Sequence, residues 1–213
     1  MKILTKIIEK INETPVAKAE FRKIAERPES AYEYARDVIG GQWPDAEPII
    51  AKRPELAFQY ADQVVGGRVP GIEFLFTKDT QWSFLAFLYA LHVIGGRFLE
   101  AEPMIAKSNI STAYDYAKKV IDGRFPEAES RFAKDPEWAY QYARFVIGKR
   151  FPEGEITIAM DPEWAYRYAK DVIRGRWPGA EPTIAKDPWW AYRYAQDVID
   201  GPWPEARIYE DDL

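Results

Sequence analysis

Placed on a helical wheel at about 100° per residue, Trp164, Ala165, Tyr166, Tyr168, Ala169, Val172 and Ile173 gather in one arc, and Glu163, Arg167, Lys170, Asp171 and Arg174 fill the rest. This separation predicts a helix over residues 162–174. Its apolar arc spans roughly 200°, wider than a helix lying on a single core requires. Such a helix must be covered on two sides, as by neighbours in a stack of repeats. The alanines at 165 and 169 allow a second helix to approach closely.

The same arrangement recurs along the chain. The segment DPEWAYRYAKDVIRGRWPGAEPTIAK at 161–186 is echoed by DPEWAYQYARFVIGKRFPEGEITIAM from Asp135 and by DPWWAYRYAQDVIDGPWPEAR from Asp187. Tyr114, Tyr140, Tyr166 and Tyr192 fall 26 residues apart, and Phe87, Phe58 and Tyr32 continue the series backwards at intervals of 27, 29 and 26. Fixed-period self-similarity is the mark of a repeat architecture. The expected fold is all-α: an α-solenoid of seven tandem helix-loop-helix repeats, forming a single domain over 21–206. Residues 1–20 are expected to form an N-terminal capping helix, with Ile3, Leu4, Ile7, Ile8 and Ile11 on one face, and 207–213 an acidic C-terminal tail.

Each unit carries its own punctuation. Asp161 suits the N-cap and Pro162 the first helical position, while Gly175 is expected to end the helix in a left-handed C′. Arg27 and Arg53 replace that aspartate, so those helices should start less firmly. A second, shorter helix lies within 178–186. Pro182 lacks an N–H, which leaves its start open between Pro178 and Pro182. The aromatics before the loop proline (Trp43, Phe125, Phe151, Trp177, Trp203) are expected to staple the loop to the core.

With their DPEWAY…VI…GRWP signature, the units resemble the short tandem helical repeats of the DPEYAYxYAxxVIxGRWPEAEP type found in tailed-phage and large-virus proteins of unassigned function. The likeness covers nearly all of the chain past residue 20 and is best over 135–206. It implies the repeat fold and a viral protein acting on a host partner, and it implies no activity.

Composition narrows the chemistry. The chain has 213 residues, 29 basic against 34 acidic, for a net charge of −5, and no cysteine. Mixed charge of this size gives no basic field for nucleic acid, and thiolate chemistry and disulfides are excluded. No apolar run is long enough to span a bilayer. A cytoplasmic location is expected, that of the host cell if the protein is viral. There is one histidine, His92, in the slot of Asp171 on the polar margin of its helix, and no P-loop, GxGxxG or nucleophile elbow occurs. No catalytic, cofactor or metal site is expected.

Two features stand out as candidate sites. Arg68, Arg97, Arg124, Arg150 and Arg176 occupy one slot in five consecutive repeats, and Glu47, Glu73, Glu102, Glu129, Glu155 and Glu181 another, with Arg207 closing the series. Opposite charges at fixed spacing suggest a salt-bridge ladder knitting the repeats together. The alternative is a basic stripe for a phosphate backbone or an acidic peptide. The second feature is an irregular middle. Phe74, Leu75 and Phe76 interrupt the second-helix strip, and Phe84, Leu85, Leu88 and Leu91 follow, with His92 beside them. Leu88 and Leu91 fall in slots held by Arg167 and Lys170, on the arc that is polar elsewhere. These residues form a candidate patch for a protein partner or for a homodimer. The leading expectation is a non-catalytic interaction scaffold. A nucleic-acid-binding repeat and a purely structural homo-oligomer are the alternatives.

Overall fold

The computed structural model describes residues 26–204. The expected capping helix over 1–20, the acidic tail over 207–213 and Arg207 lie outside the described residues. The fold is all-α, in repeated helix-loop-helix units, with no strand among the described residues. No helix in that range is long and apolar enough to cross a membrane. The chain divides into two compact units, Met1–Ile105 and Ala106–Leu213.

In the second unit, each repeat opens with a helix at Ile110–Tyr116, Pro136–Tyr142, Pro162–Tyr168 or Pro188–Tyr194. Each continues as a wider π-helical segment, at Ala117–Ile121, Ala143–Ile147, Ala169–Ile173 and Ala195–Ile199. The widening is visible in the closing bonds. The Arg174 and Gly175 N–H groups both donate to the Ala169 carbonyl, at 2.7 and 3.2 Å, rather than to the carbonyls nearer in sequence.

The left-handed residue that follows lies one position earlier than the sequence suggests. It is Arg174 (φ 60°), not Gly175, and its equivalents are Gly40, Gly66, Gly95, Asp122, Gly148 and Asp200. A left-handed conformation costs a residue with a Cβ roughly 1–2 kcal/mol, and Asp tolerates it better than Arg. Arg174→Gly should therefore stabilise the protein by about 1 kcal/mol, raising its thermal midpoint by roughly 2–4 °C.

Helix starts follow their caps. The Asp135, Asp161 and Asp187 carboxylates and the Asn109 side chain accept from first-turn N–H groups, whereas Arg27 and Arg53 provide no side-chain cap. The second helix is settled by its proline. Where proline follows the glutamate, the helix begins at that glutamate, at Glu47, Glu102 or Glu181. Ser130 and Ile156 replace that proline in two repeats, and there the helix starts earlier, at Pro126 and Pro152. In the irregular repeat, Pro70–Glu73 gives way to a 3-10 turn at Phe74–Thr77.

Packing is built on alanine and tyrosine. In the second unit Ala113, Ala139, Ala165 and Ala191 are fully buried, as are Tyr116, Tyr142, Tyr168 and Tyr194; in the first, Ala31, Ala57, Ala86, Tyr60 and Tyr89 are too. The stapling aromatics pack at an angle against the tyrosine of their own repeat, with centroids 5.4 Å apart for Tyr116 and Phe125, 5.3 Å for Tyr142 and Phe151, and 5.1 Å for Tyr168 and Trp177.

Candidate functional site

The arginine and glutamate columns meet within each repeat, not between repeats. The chain turns between them, so a five-residue separation brings the guanidinium fork onto the carboxylate. Nε and Nη2 of Arg124 donate to the two oxygens of Glu129 at 2.7 and 2.5 Å, and those of Arg150 to Glu155 at 2.7 and 2.6 Å. Arg68 with Glu73, Arg97 with Glu102 and Arg176 with Glu181 have the same bidentate geometry. In the first repeat the Gln42 amide donates to Glu47 at 2.7 Å. With Nε and Nη2 on a carboxylate, each arginine of the column carries a charge already paired within its own repeat.

What joins one repeat to the next is a tyrosine hydroxyl. Tyr142 donates to Glu129 at 2.8 Å and accepts from the Phe125 N–H at 2.7 Å. Tyr168 does the same with Glu155 (2.9 Å) and Phe151 N–H (2.7 Å), and Tyr194 with Glu181 (2.9 Å) and Trp177 N–H (2.7 Å). In the first unit Tyr89 donates to Glu73 at 2.9 Å and accepts from the Val69 N–H at 2.9 Å. Each hydroxyl thus satisfies a buried loop N–H and a partly buried carboxylate of the preceding repeat.

These bonds set ionisation. Arg68, Arg150 and Arg176 hold Glu73, Glu155 and Glu181 below the usual carboxylate range, assisted by the tyrosines and opposed by burial. Burial pushes the tyrosine hydroxyls up, to about 12 at Tyr60 and Tyr194. A carboxylate with a lowered folded pKa contributes stability that is complete above its unfolded value and lost as pH falls through the folded one. A tyrosine with a raised folded pKa contributes stability that is lost as pH rises through it. The thermal midpoint should therefore form a plateau. It should fall below about pH 4.5 on the acid side and above about pH 10 on the alkaline side. Calorimetry across that range checks both arms, and a midpoint still level at pH 3 would contradict the first.

A second set of links runs along the outer arc. The Tyr140 hydroxyl donates to Asp171 at 2.5 Å, and Tyr166 donates to Asp197. Arg144 bonds both Tyr140 and Asp171, and Lys170 bonds Tyr166 at 3.2 Å and Asp197 at 2.8 Å. Lys170 and Tyr166 hold the Asp197 carboxyl down at about 2. In the first unit Tyr32 donates to Gln63 at 3.1 Å. Phe58 and Phe87 have no hydroxyl to give, and at Tyr114 the hydroxyl is present but the link is missing. The slot opposite Tyr114 holds Phe145, and the Tyr114 hydroxyl is buried with no hydrogen-bond partner. Phe145 is 48% exposed, with the Lys118 ammonium 5.1 Å and the Arg144 guanidinium 4.8 Å from its ring centroid. The Nε atoms of Arg167 and Arg193 also lack hydrogen-bond partners; their guanidinium carbons sit 5.2 Å from the Trp164 ring centroid and 5.9 Å from that of Tyr166.

Beside Phe145 lies a cleft of about 660 Å³, walled by Arg144, Lys149, Arg150, Lys170, Arg174 and a single acid, Asp171. A smaller hollow of about 400 Å³ shares Arg144, Lys170 and Asp171 and reaches Trp189, which is 59% exposed. Of these cations Arg150 belongs to the arginine column, whereas Lys149 and Arg174 were not among the sequence-derived candidate sites. The signal that could have found them is departure from the repeat, since Lys149 stands where Gly41, Gly67, Gly96, Gly123, Gly175 and Gly201 stand elsewhere.

The candidate patch in the first unit is divided. Phe76 is wholly buried in the core, Leu75, Leu85, Leu88 and Leu91 are half-buried, and Phe74, Phe84 and His92 are exposed. The Lys78 ammonium covers the Phe74 ring at 4.4 Å, and Phe84 leans on Phe87 at 6.0 Å. Compared with protein-family models, with curated proteins and with solved structures, the chain finds no match.

Proposed function

We propose that the protein is a non-catalytic scaffold that binds another protein. The observation that carries this reading is a division of labour within the repeat. The recurring alanines and tyrosines, with the glutamates that the tyrosine hydroxyls bond, are engaged in holding one repeat to the next. The outer-arc side chains change from repeat to repeat and include large apolar groups in water, among them Phe84 (55% exposed) and Trp189 (59%). A frame fixed by buried hydrogen bonds loses little conformational entropy when its outer face is covered, which favours recognition.

The test is capture followed by reconstitution. The immobilised chain should retain a protein from lysate of its native cells, and that protein, produced pure, should form a saturable complex with the chain. Outer-arc substitutions such as Trp189→Ser should weaken the complex without changing helix content. Failure to retain any protein, or a purified complex indifferent to every outer-arc substitution, would remove the reading. Sedimentation of the chain alone at rising concentration distinguishes a homodimer through the first-unit patch, which Phe84→Glu should dissolve.

A further inference from the structure

The repeat supplies its own reference. Whatever recurs in every copy is what the fold requires, so a copy that departs from the others at some structural cost points to another demand. In the second unit three departures line one cleft. Phe145 occupies a slot that holds Asp37, Gln63, His92, Lys119, Asp171 or Asp197 in other repeats, and, facing Tyr114, it leaves that hydroxyl without a partner. Lys149 takes a position that is glycine in the other six repeats. Arg174 takes the left-handed position, held elsewhere by Gly or Asp, and is strained there. Lys149 and Arg174 add positive charge, Phe145 withholds the carboxylate that Asp37, Asp171 and Asp197 supply in their repeats, and all three residues border the same 660 Å³ hollow.

The charges already present are tied. Arg150 is held by Glu155, Arg144 by Asp171 and Lys170 by Asp197. Among the described residues Lys149 and Arg174 have no ion pair, and both are exposed. The cleft thus has two cations free for a ligand, the Phe145 ring in its wall and one neutralised carboxylate.

We infer that this cleft binds a peptide segment carrying adjacent carboxylates, seated between Lys149 and Arg174 with its backbone against Phe145. This names the chemistry of the partner and rests on the scaffold reading. A peptide fits better than a nucleic acid for a reason of extent. A phosphodiester strand needs a continuous basic groove along many residues. Here the arginine column beside the cleft is filled by glutamates, and the chain carries a net charge of −5. Two or three carboxylates need only the local excess.

The experiment uses the purified full chain and a fluorescein-labelled peptide bearing a run of glutamates, read by anisotropy. Controls are the same peptide with glutamines and a labelled oligothymidylate. Lys149→Gly and Arg174→Gly restore the residue found in sister repeats, so both variants keep the fold, and the second should melt higher. The glutamate peptide should bind saturably, weaken with salt and lose affinity about tenfold in either variant and about a hundredfold in the double variant. The glutamine peptide should not bind. Equal binding by the double variant, or no binding of the glutamate peptide, overturns the assignment, as does preferential binding of the oligothymidylate. Because no lysate is involved, a chain that captures a protein independently of Lys149 and Arg174 would defeat this inference while leaving the scaffold reading intact.

Discussion

Tyr142→Phe should destabilise the second unit by about 2–3 kcal/mol, whereas Tyr114→Phe should be neutral or slightly stabilising, although both remove one hydroxyl from a buried ring. The difference lies in what each hydroxyl leaves behind. Without the Tyr142 oxygen, the Phe125 N–H loses its 2.7 Å acceptor and Glu129 loses its 2.8 Å donor, and both bonds are buried. A buried donor left unpaired costs roughly 1–3 kcal/mol and a weakened buried carboxylate adds to it. The expected fall in thermal midpoint is roughly 5–10 °C. The Tyr114 hydroxyl has no partner to abandon, so deleting it removes an unsatisfied group. Thermal and denaturant unfolding of the two variants beside the parent measure the contrast. Equal losses would mean that tyrosine hydroxyls here act through packing alone and that the inter-repeat link carries no energy.

That contrast also shows which parts of the fold were legible in the residue order. The long helices were, because their apolar arc is broad and repeats at a fixed period, and an arc that wide can only be covered by neighbours. The start of the second helix stayed open between Pro178 and Pro182, because a proline after the glutamate permits either, and the structure places it at Glu181 there and at Pro126 and Pro152 where Ser130 and Ile156 replace the proline. The left-handed position was misplaced by one residue because paired glycines such as Gly66-Gly67 and Gly95-Gly96 leave the register ambiguous, and Arg174 is an unexpected occupant. The tyrosine link was hidden for a different reason. On a helical wheel Tyr168 counts as an apolar ring, and its hydroxyl is invisible to periodicity. Yet its slot is Tyr in all seven repeats, whereas the aromatic two positions earlier alternates between Tyr and Phe. A ring that is never replaced by Phe implies that its oxygen is used. The Arg and Glu columns were correctly seen as paired, but a linear spacing of five does not say whether the pair closes within a repeat or bridges two.

Phe145→Asp should raise stability by about 1–2 kcal/mol and at the same time abolish binding of an acidic peptide. The aspartate would reproduce the arrangement around Asp171 and Asp197. It would accept from the Tyr114 hydroxyl and from Lys118, as Asp171 accepts from Tyr140 and Arg144 and Asp197 from Tyr166 and Lys170. Satisfying the orphaned hydroxyl contributes roughly 1–3 kcal/mol. Losing the half-exposed ring, its edge contact with Tyr140 at 6.4 Å and its two cation contacts offsets about 1 kcal/mol of that. A carboxylate at 145 would also face Lys149 and Arg174 across the cleft and meet the ligand's charge with like charge. The measurement is paired: unfolding midpoint and peptide affinity on the same preparation. A variant that melts higher and no longer binds supports a slot in which stability was given up for recognition, the trade expected where function needs a locally suboptimal fold. A variant that melts lower would show that Phe145 is held for packing, and one that melts higher yet binds as before would remove the cleft from the recognition surface.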